Sequence, residues 1–549
     1  MRPFVAHLRA DAELPEFDEQ LGLAFDGRLD NRRELSAMLG EQFASDASLA
    51  LACWRRFGKA APERWQGPFA VAVLERASGR AWLARDEVGV RGLAYGRDLE
   101  GNWVAATFEH EVAQSIAAGL DEVRIAAFLA LREPEPWRSF FVGVSQALPG
   151  QLTELRADGT VVRTALPRRH QTLAPVEGDL ETAAVEFRQH VDSAVRDTLD
   201  DCDPPFALLF SGVLDSTTLA CSMVAQGRPP AALISWNFDS FPDERAHQQA
   251  LAQQLGLPLH PLLLDHAIPL GESGDWPVHP STPEQTPFRL LHEAACRKAS
   301  DLGTKTLLWG YGGDMFFGGT EGLPRALLRR SEPGRALRAF RSEAGRLGLR
   351  GALRGNVPPQ WLRRWQRRRP PAWLTSEAHH HLRAINPAAT LEEAEAPFPT
   401  RQRALTSFAS VQGDANENWF SARHGLAVEA PLRDRALVHW VLTAAPWSAL
   451  NAERDLQRRA LLGRCAPEIA NRTGKGSFEP LLRRVLSNPQ ARGRAGELMF
   501  GEPAAWPRFL SRQALTAVWE GHDTTRLGLQ IFWSALSLEL WIRRRGGRG

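Results

Sequence analysis

Phe206-Ala207-Leu208-Leu209-Phe210 is an apolar run that stops at Ser211-Gly212 and gives way to residues with helical spacing, roughly Ser216 to Ala225. A run this short and this apolar suits a strand covered on both faces, the condition of a parallel strand inside an α/β layer. The turn Ser211-Gly212-Val213-Leu214-Asp215-Ser216 then sits at the end of a strand and the start of a helix. Unpaired backbone N–H groups and the positive end of the helix dipole meet there, so such a turn binds anions. Ser211, Ser216 and Thr217 add hydroxyl donors. Asp215 fits beside a phosphate when a cation lies between them, and Mg2+ takes one or two carboxylates together with phosphate oxygens. A helix capped by Ser or Asp after a tight turn would use the same residues for structure alone.

A second segment repeats the logic. Lys305 to Trp309 is another buried strand, and Gly310-Tyr311-Gly312-Gly313-Asp314-Met315-Phe316-Phe317-Gly318-Gly319 follows it. Glycines in that density let a backbone approach a ligand closely. Between the two loops the sequence alternates, with strands at Ala231 to Trp236 and His260 to Leu264 and a helix at about Asp243 to Leu255. Alternation predicts a doubly wound parallel sheet, which binds ligands at the carboxyl ends of its strands. The expected nucleotide site is Ser211, Gly212, Val213, Asp215, Ser216, Thr217, Gly310, Gly312 and Gly313, with Asp215 and Asp314 as the Mg2+ ligands.

The first 170 residues follow a different grammar. Leu23 to Asn31, Phe69 to Leu74, Ala81 to Asp86 and Trp103 to Thr107 are short strands with turns between them, and Arg33 to Leu39 is a helix. This predicts a layered, mostly antiparallel domain over residues 1–170. Residues 164–180 are polar and carry prolines, as a linker does, and a second domain is expected over 180–549, mainly helical beyond residue 320.

Composition excludes several classes. The formal net charge of +2 gives no general case for nucleic acid. No run of about 18 apolar residues is present, so no membrane span is expected, and the N-terminus lacks the apolar region of a signal peptide. Five scattered cysteines without a CxxC pair argue against a disulfide framework or a cysteine zinc site, and a reducing cytoplasm is the expected compartment. Lysine occurs only as Lys59, Lys298, Lys305 and Lys475. Each marks a position where arginine does not serve equally well.

Ser211 to Ser216 resembles the pyrophosphate loop of N-type ATP pyrophosphatases, and its pairing with Gly310 to Asp314 resembles the asparagine synthetase superfamily. Phe25-Asp26-Gly27-Arg28-Leu29-Asp30-Asn31 and Leu83-Ala84-Arg85-Asp86-Glu87-Val88-Gly89 are similar to segments of its glutaminase-like domain. His424 to Asp434 resembles the segment lining its acceptor pocket, and Phe532-Trp533 to Arg543 is similar to its C-terminal segment. The resemblance implies an N-terminal glutaminase-like α+β domain, a parallel α/β ATP-pyrophosphatase domain with large helical additions, and ATP with Mg2+ in use. It also implies a role for Lys475 beside the α-phosphate.

The departures from that family carry information. Arg2 and Pro3 follow Met1, and no cysteine precedes Cys53, so the N-terminal cysteine that releases ammonia from glutamine is not expected. Without that step the amine comes from the substrate. Within the superfamily this most resembles a lasso peptide cyclase, which implies a precursor peptide substrate and, as partners, a leader peptidase and a leader-binding protein. β-Lactam synthetases and ammonia-using asparagine synthetases are alternatives, as is an inactive scaffold of a biosynthetic complex. Val213 stands where the family loop usually has glycine, so strain is expected if the position needs positive φ. Ala427 falls where the family often has a glutamate. Glu429, two residues on and on the same side of an extended chain, is the candidate to replace it.

Two further signals have simple readings. Residues 325–369 carry 14 arginines against Glu332 and Glu343, which suits a solvated helical face or a docking patch for an acidic partner. His379-His380-His381 cannot all face one metal ion from a helix or a strand.

Overall fold

The structure is a computed structural model of the chain and describes residues 4–9, 14–132, 134–166, 178–240, 243–271, 276–283, 287–318, 323–329, 331–356, 371–385, 416–446, 449–450, 454–471, 479–501 and 504–546. The first part holds strands β1 (Val5–Leu8), β2 (Glu16–Phe17), β3 (Leu21–Gly27), β4 (Phe69–Glu75), β5 (Arg80–Arg85), β6 (Ala94–Arg97), β7 (Trp103–Ala106), β8 (Ser145–Gln146), β9 (Gln151–Leu155) and β10 (Val161–Ala165). They form two antiparallel sheets, ordered β1-β7-β6-β8 and β10-β9-β5-β4-β3-β2. Alternation along β4 explains why both of its faces are apolar. Phe69, Val71 and Val73 pack with Leu49 and Trp54 of the helix Asp46–Phe57. Ala70, Ala72 and Leu74 pack toward the other sheet with Ala6, Leu8 and Trp103. The layered, antiparallel expectation is met.

The second part is built on a parallel sheet of β11 (Phe206–Leu209), β12 (Ala232–Asn237), β13 (Leu259–Leu263), β14 (Thr306–Leu308) and β15 (Ala427–Glu429), in the order β13-β12-β11-β14-β15. Phe206 and Leu208 of β11 face one core with Phe187 of the helix Leu180–Asp200 and Leu219 and Met223 of the helix Leu214–Ala225. Ala207 faces the opposite core with Ala295 and Ala299 of the helix Arg289–Asp301. Burial on both sides is what the unbroken apolar run signalled. β15 is a departure from the mainly helical expectation: it pairs in parallel with β14, although Ala427-Val428-Glu429 has no strand pattern of its own.

The order reverses between β11 and β14. Chain direction leaves β11 toward β12 and β13 on one side, and β14 and β15 lie on the other. Such a switch point opens a crevice at the carboxyl edge of the sheet. Both expected nucleotide loops leave the sheet there. The two parts of the chain are docked on each other, and a further core joins Phe140 and Phe141 to Trp541 of the C-terminal helix Arg526–Gly546, with ring centroids 5.5 Å and 5.8 Å apart. No helix among the described residues is long and apolar enough to cross a membrane.

In the arginine-rich stretch, residues Leu323–Arg329 and Pro333–Asn356 are helical, the latter with a kink at Gly348, where φ is +71°. Leu328 and Leu349 stand exposed among the arginines, and residues 357–370 lie outside the described ones. Of the three adjacent histidines, His381 approaches Glu122 at 3.3 Å, and Glu377 completes a potential three-ligand group. Arg508 already binds the carboxylates of both Glu122 and Glu377.

Candidate active site

The two loops interlock through missing side chains. A Cβ at Gly310 would lie 2.8 Å from the Cβ of Asp215, and one at Gly313 would lie 2.1 Å from its Oδ1. Glycine at these positions therefore lets the Asp215 carboxylate reach the second loop. Gly312 takes φ +99°, and Gly212 takes φ +75° with Gln248 packed where a Cβ would stand. Replacing Gly313 with alanine is expected to displace Asp215 and destabilise the chain by about 1–3 kcal/mol, as overpacking does. A thermal denaturation midpoint checks this, and an unchanged midpoint would contradict the interlock.

Val213 is not strained. Its backbone is extended, at φ −104° and ψ 172°, and the positive φ of the loop belongs to Gly212. The strain expected at Val213 is thereby corrected: an extended residue tolerates β-branching. Exchanging Val213 for glycine is expected to leave nucleotide affinity unchanged in a calorimetric titration. Tightening by about tenfold, worth ~1.4 kcal/mol, would place strain there after all.

The loop is held from within. The Ser211 amide donates to Ser216 Oγ at 3.2 Å, and the two hydroxyl oxygens are 3.1 Å apart. Gln248 Nε2 donates to the Ser211 carbonyl at 3.3 Å. Thr217 is buried, and its hydroxyl finds no hydrogen-bond partner among the described residues.

Asp215 and Asp314 converge. The guanidinium of Arg454 donates from Nη1 to Asp215 Oδ1 at 3.1 Å and to the Gly313 carbonyl at 2.9 Å, and from Nη2 to the Asp314 carboxylate. Gln457 Nε2 donates to the same Asp215 oxygen at 2.9 Å. Burial pushes the Asp215 carboxyl up from its ordinary value, and Arg454 and Gln457 act against that rise. Neither Arg454 nor Gln457 was foreseen from sequence. Lys475 lies outside the described residues.

Beside the loops stand aromatic rings at the carboxyl edge. Trp236 and His292 are 5.0 Å apart, His292 and Trp309 5.7 Å, and Trp309 stacks on Tyr311 at 4.9 Å. Burial pushes His292 down to about 4, so it is a neutral ring at neutral pH. Arg433 lies over Tyr311 at 5.5 Å and donates to the Val88 carbonyl at 2.7 Å, which ties this wall to the N-terminal part.

Glu429 ends β15 with both carboxylate oxygens engaged from across the domain junction. Arg28 Nη1 is 3.2 Å from Oε2, and Arg91 Nη2 is 3.2 Å from Oε1. Burial opposes its ionisation, but Arg91 and Arg28 overcome this and hold the carboxyl below its usual range. Cys53, the first cysteine of the sequence, is buried against the six-stranded sheet, where burial pushes its thiol up.

A family model described as asparagine synthase matches residues 186–543. The chain belongs to the asparagine synthase family. A glutamine amidotransferase domain model matches residues 8–165, the part that forms the two antiparallel sheets. A glutamine-hydrolysing asparagine synthetase of Triphysaria versicolor is 23% identical over 341 residues, covering 58% of this chain and 52% of its own length. The chain thus spans about half the length of the curated relative it matches. Among solved structures, a glutamine phosphoribosylpyrophosphate amidotransferase from B. subtilis complexed with ADP and GMP is 12% identical at a TM-score of 0.21, with 61% of this chain and 62% of that chain covered. An allosteric regulatory enzyme of purine biosynthesis is 10% identical at the same TM-score of 0.21, with 59% of each chain covered. Overlaps that loose carry no argument about chemistry.

Within the asparagine synthase part, the chain's own residues fit a divalent cation on one observation. Asp215 and Asp314, from different loops, already point their carboxylates at one positive group, and the guanidinium stands in for an ion there. Hard carboxylate oxygens are the donors Mg2+ prefers.

Proposed function

We propose that this protein is an ATP-dependent amide-forming ligase that activates a substrate carboxylate as an acyl-adenylate. The observation that carries the reading is the convergence of Asp215 and Asp314 on one positive charge at the switch point of a parallel sheet. Val213 to Ser216 provide amide donors at the start of the helix Leu214–Ala225, where the pyrophosphate end of ATP would lie. Asp215 and Asp314 would hold Mg2+, which when bound neutralises phosphate charge. The substrate carboxylate attacks the α-phosphorus, the bond to pyrophosphate breaks, and an amine then attacks the acyl carbon and expels AMP. Lys475 is assigned to the α-phosphate by sequence resemblance alone.

The finer reading is a lasso peptide cyclase. An Asp or Glu side chain of a precursor peptide supplies the carboxylate, and the peptide's N-terminal amine closes the ring. Two features support it. Cys53, the cysteine within the part matched by the glutamine amidotransferase model, is enclosed in a core and is not placed to release ammonia from glutamine. The wall of Trp236, His292, Trp309 and Tyr311 suits an organic substrate with apolar surface better than free ammonia. A leader peptidase and a leader-binding protein would deliver the substrate. The protein with Mg-ATP and a candidate core peptide is expected to release AMP and give a product lighter by one water. ATP–pyrophosphate exchange that requires a small amino acid rather than a peptide would overturn the cyclase reading and keep the ligase. Absence of exchange with any carboxylate would sink both.

A further inference from the structure

Arg454 occupies an unusual position for a surface-derived charge. It precedes the helix Asp455–Leu461 with φ +61°, a left-handed conformation that costs a non-glycine residue roughly 1–2 kcal/mol. Its side chain is about nine-tenths buried, yet the ends of its fork reach carboxylates from two different loops. The Gly313 carbonyl and Gln457 hold the guanidinium in place, so the contact is built rather than incidental. Two carboxylates brought together repel unless a cation lies between them. Among the described residues, Arg454 is a cation between them.

We propose that Arg454 is the resident counter-ion of the Asp215–Asp314 pair, and that a divalent cation enters the site by displacing it. This rests on the reading of those two residues as metal ligands. A cation arriving without nucleotide must push a desolvated guanidinium away from the two carboxylates it pairs with, and an unpaired buried charge is costly. A cation arriving with a polyphosphate brings anions that a planar guanidinium fork can bind in exchange. The exchange therefore makes cation and nucleotide load together, and keeps the carboxylates preformed and neutralised before either arrives.

Mn2+ titrations of the full chain, read by the electron paramagnetic resonance signal of free Mn2+, test the exchange without any turnover. They are run on the unaltered protein and on Arg454→Gln, Arg454→Lys and Asp314→Asn, with and without a non-hydrolysable ATP analogue. Arg454→Gln is expected to bind Mn2+ alone at least about tenfold more tightly than the unaltered chain. Arg454→Lys keeps the charge but loses the fork, and is expected to fall between the two, about threefold tighter. Equal or weaker Mn2+ affinity in Arg454→Gln overturns the exchange. If that variant fails to fold by circular dichroism, Arg454→Lys decides, and affinity equal to the unaltered chain overturns it. Mn2+ bound with the analogue and lost in Asp314→Asn supports the metal reading independently of Arg454. No Mn2+ binding in any form would remove the metal reading and the exchange with it.

Discussion

Alanine at Asp314 is expected to lower substrate-dependent ATP–pyrophosphate exchange at least ~100-fold, the scale seen when one preorganised group facing transition-state charge is removed. The fold should survive. The Asp314 side chain is 66% exposed, so its loss opens no cavity, and Asp215 still accepts from Arg454 and Gln457. The two quantities separate the roles: exchange reports the cation site, and the thermal midpoint reports the scaffold. Exchange that persists at the unaltered rate would remove Asp314 from the metal site. A collapsed midpoint would make it a structural residue.

The largest stability effect is expected at Glu429. Glu429→Gln removes the carboxylate that faces the buried Arg91, while Arg28 keeps Asp30 at 2.7 Å and Asp201 at 3.2 Å, and removing one partner of a buried ion pair costs about 3–5 kcal/mol. The effect has a pH signature. The folded carboxyl titrates below its ordinary value, so its contribution is fully present above the ordinary glutamate range and is lost as pH falls through the lowered folded value. Acid unfolding followed by circular dichroism should show that loss in the unaltered chain. The same experiment on Glu429→Gln should show a chain less stable at neutral pH and less sensitive to acid over that window. Equal neutral stability of the two proteins would mean that the arginines are neutralised elsewhere.

Both glycine loops at the carboxyl edge of the sheet were legible because each is local. An apolar strand, a glycine turn and a helix follow one another within a dozen residues, and the pattern states where the backbone N–H groups point. The two-faced burial of β4 and β11 was legible for a similar reason. The residues that complete the site were not. Arg454 meets Asp215 from 239 positions away, and Arg28 meets Glu429 across 401. No periodicity links such pairs, and arginine is so common here that one more attracts no notice. Val213 shows a different limit. The residue was identifiable as a departure from the family loop, but which peptide unit carries the positive φ is a property of the folded turn, and Gly212 carries it. β15 was hidden because three residues are too few to show alternation, and its strand character comes from pairing with β14.

The interlocked loops also set a timetable. Asp215, Gly313 and Gln457 come from three stretches of chain separated by about one hundred residues or more, and each pair is brought together only by the sheet and its flanking helices. Contacts of such long range form late in folding, after the loop-closure entropy of the intervening chain has been lost. During synthesis the first domain and the strands β11 to β14 emerge well before Arg454. For that interval Asp215 and Asp314 are both present in the chain and Arg454 is not. A nascent chain arrested there would lack the arginine that pairs with both carboxylates, and addition of Arg454 and the helix Asp455–Leu461 would close that interval.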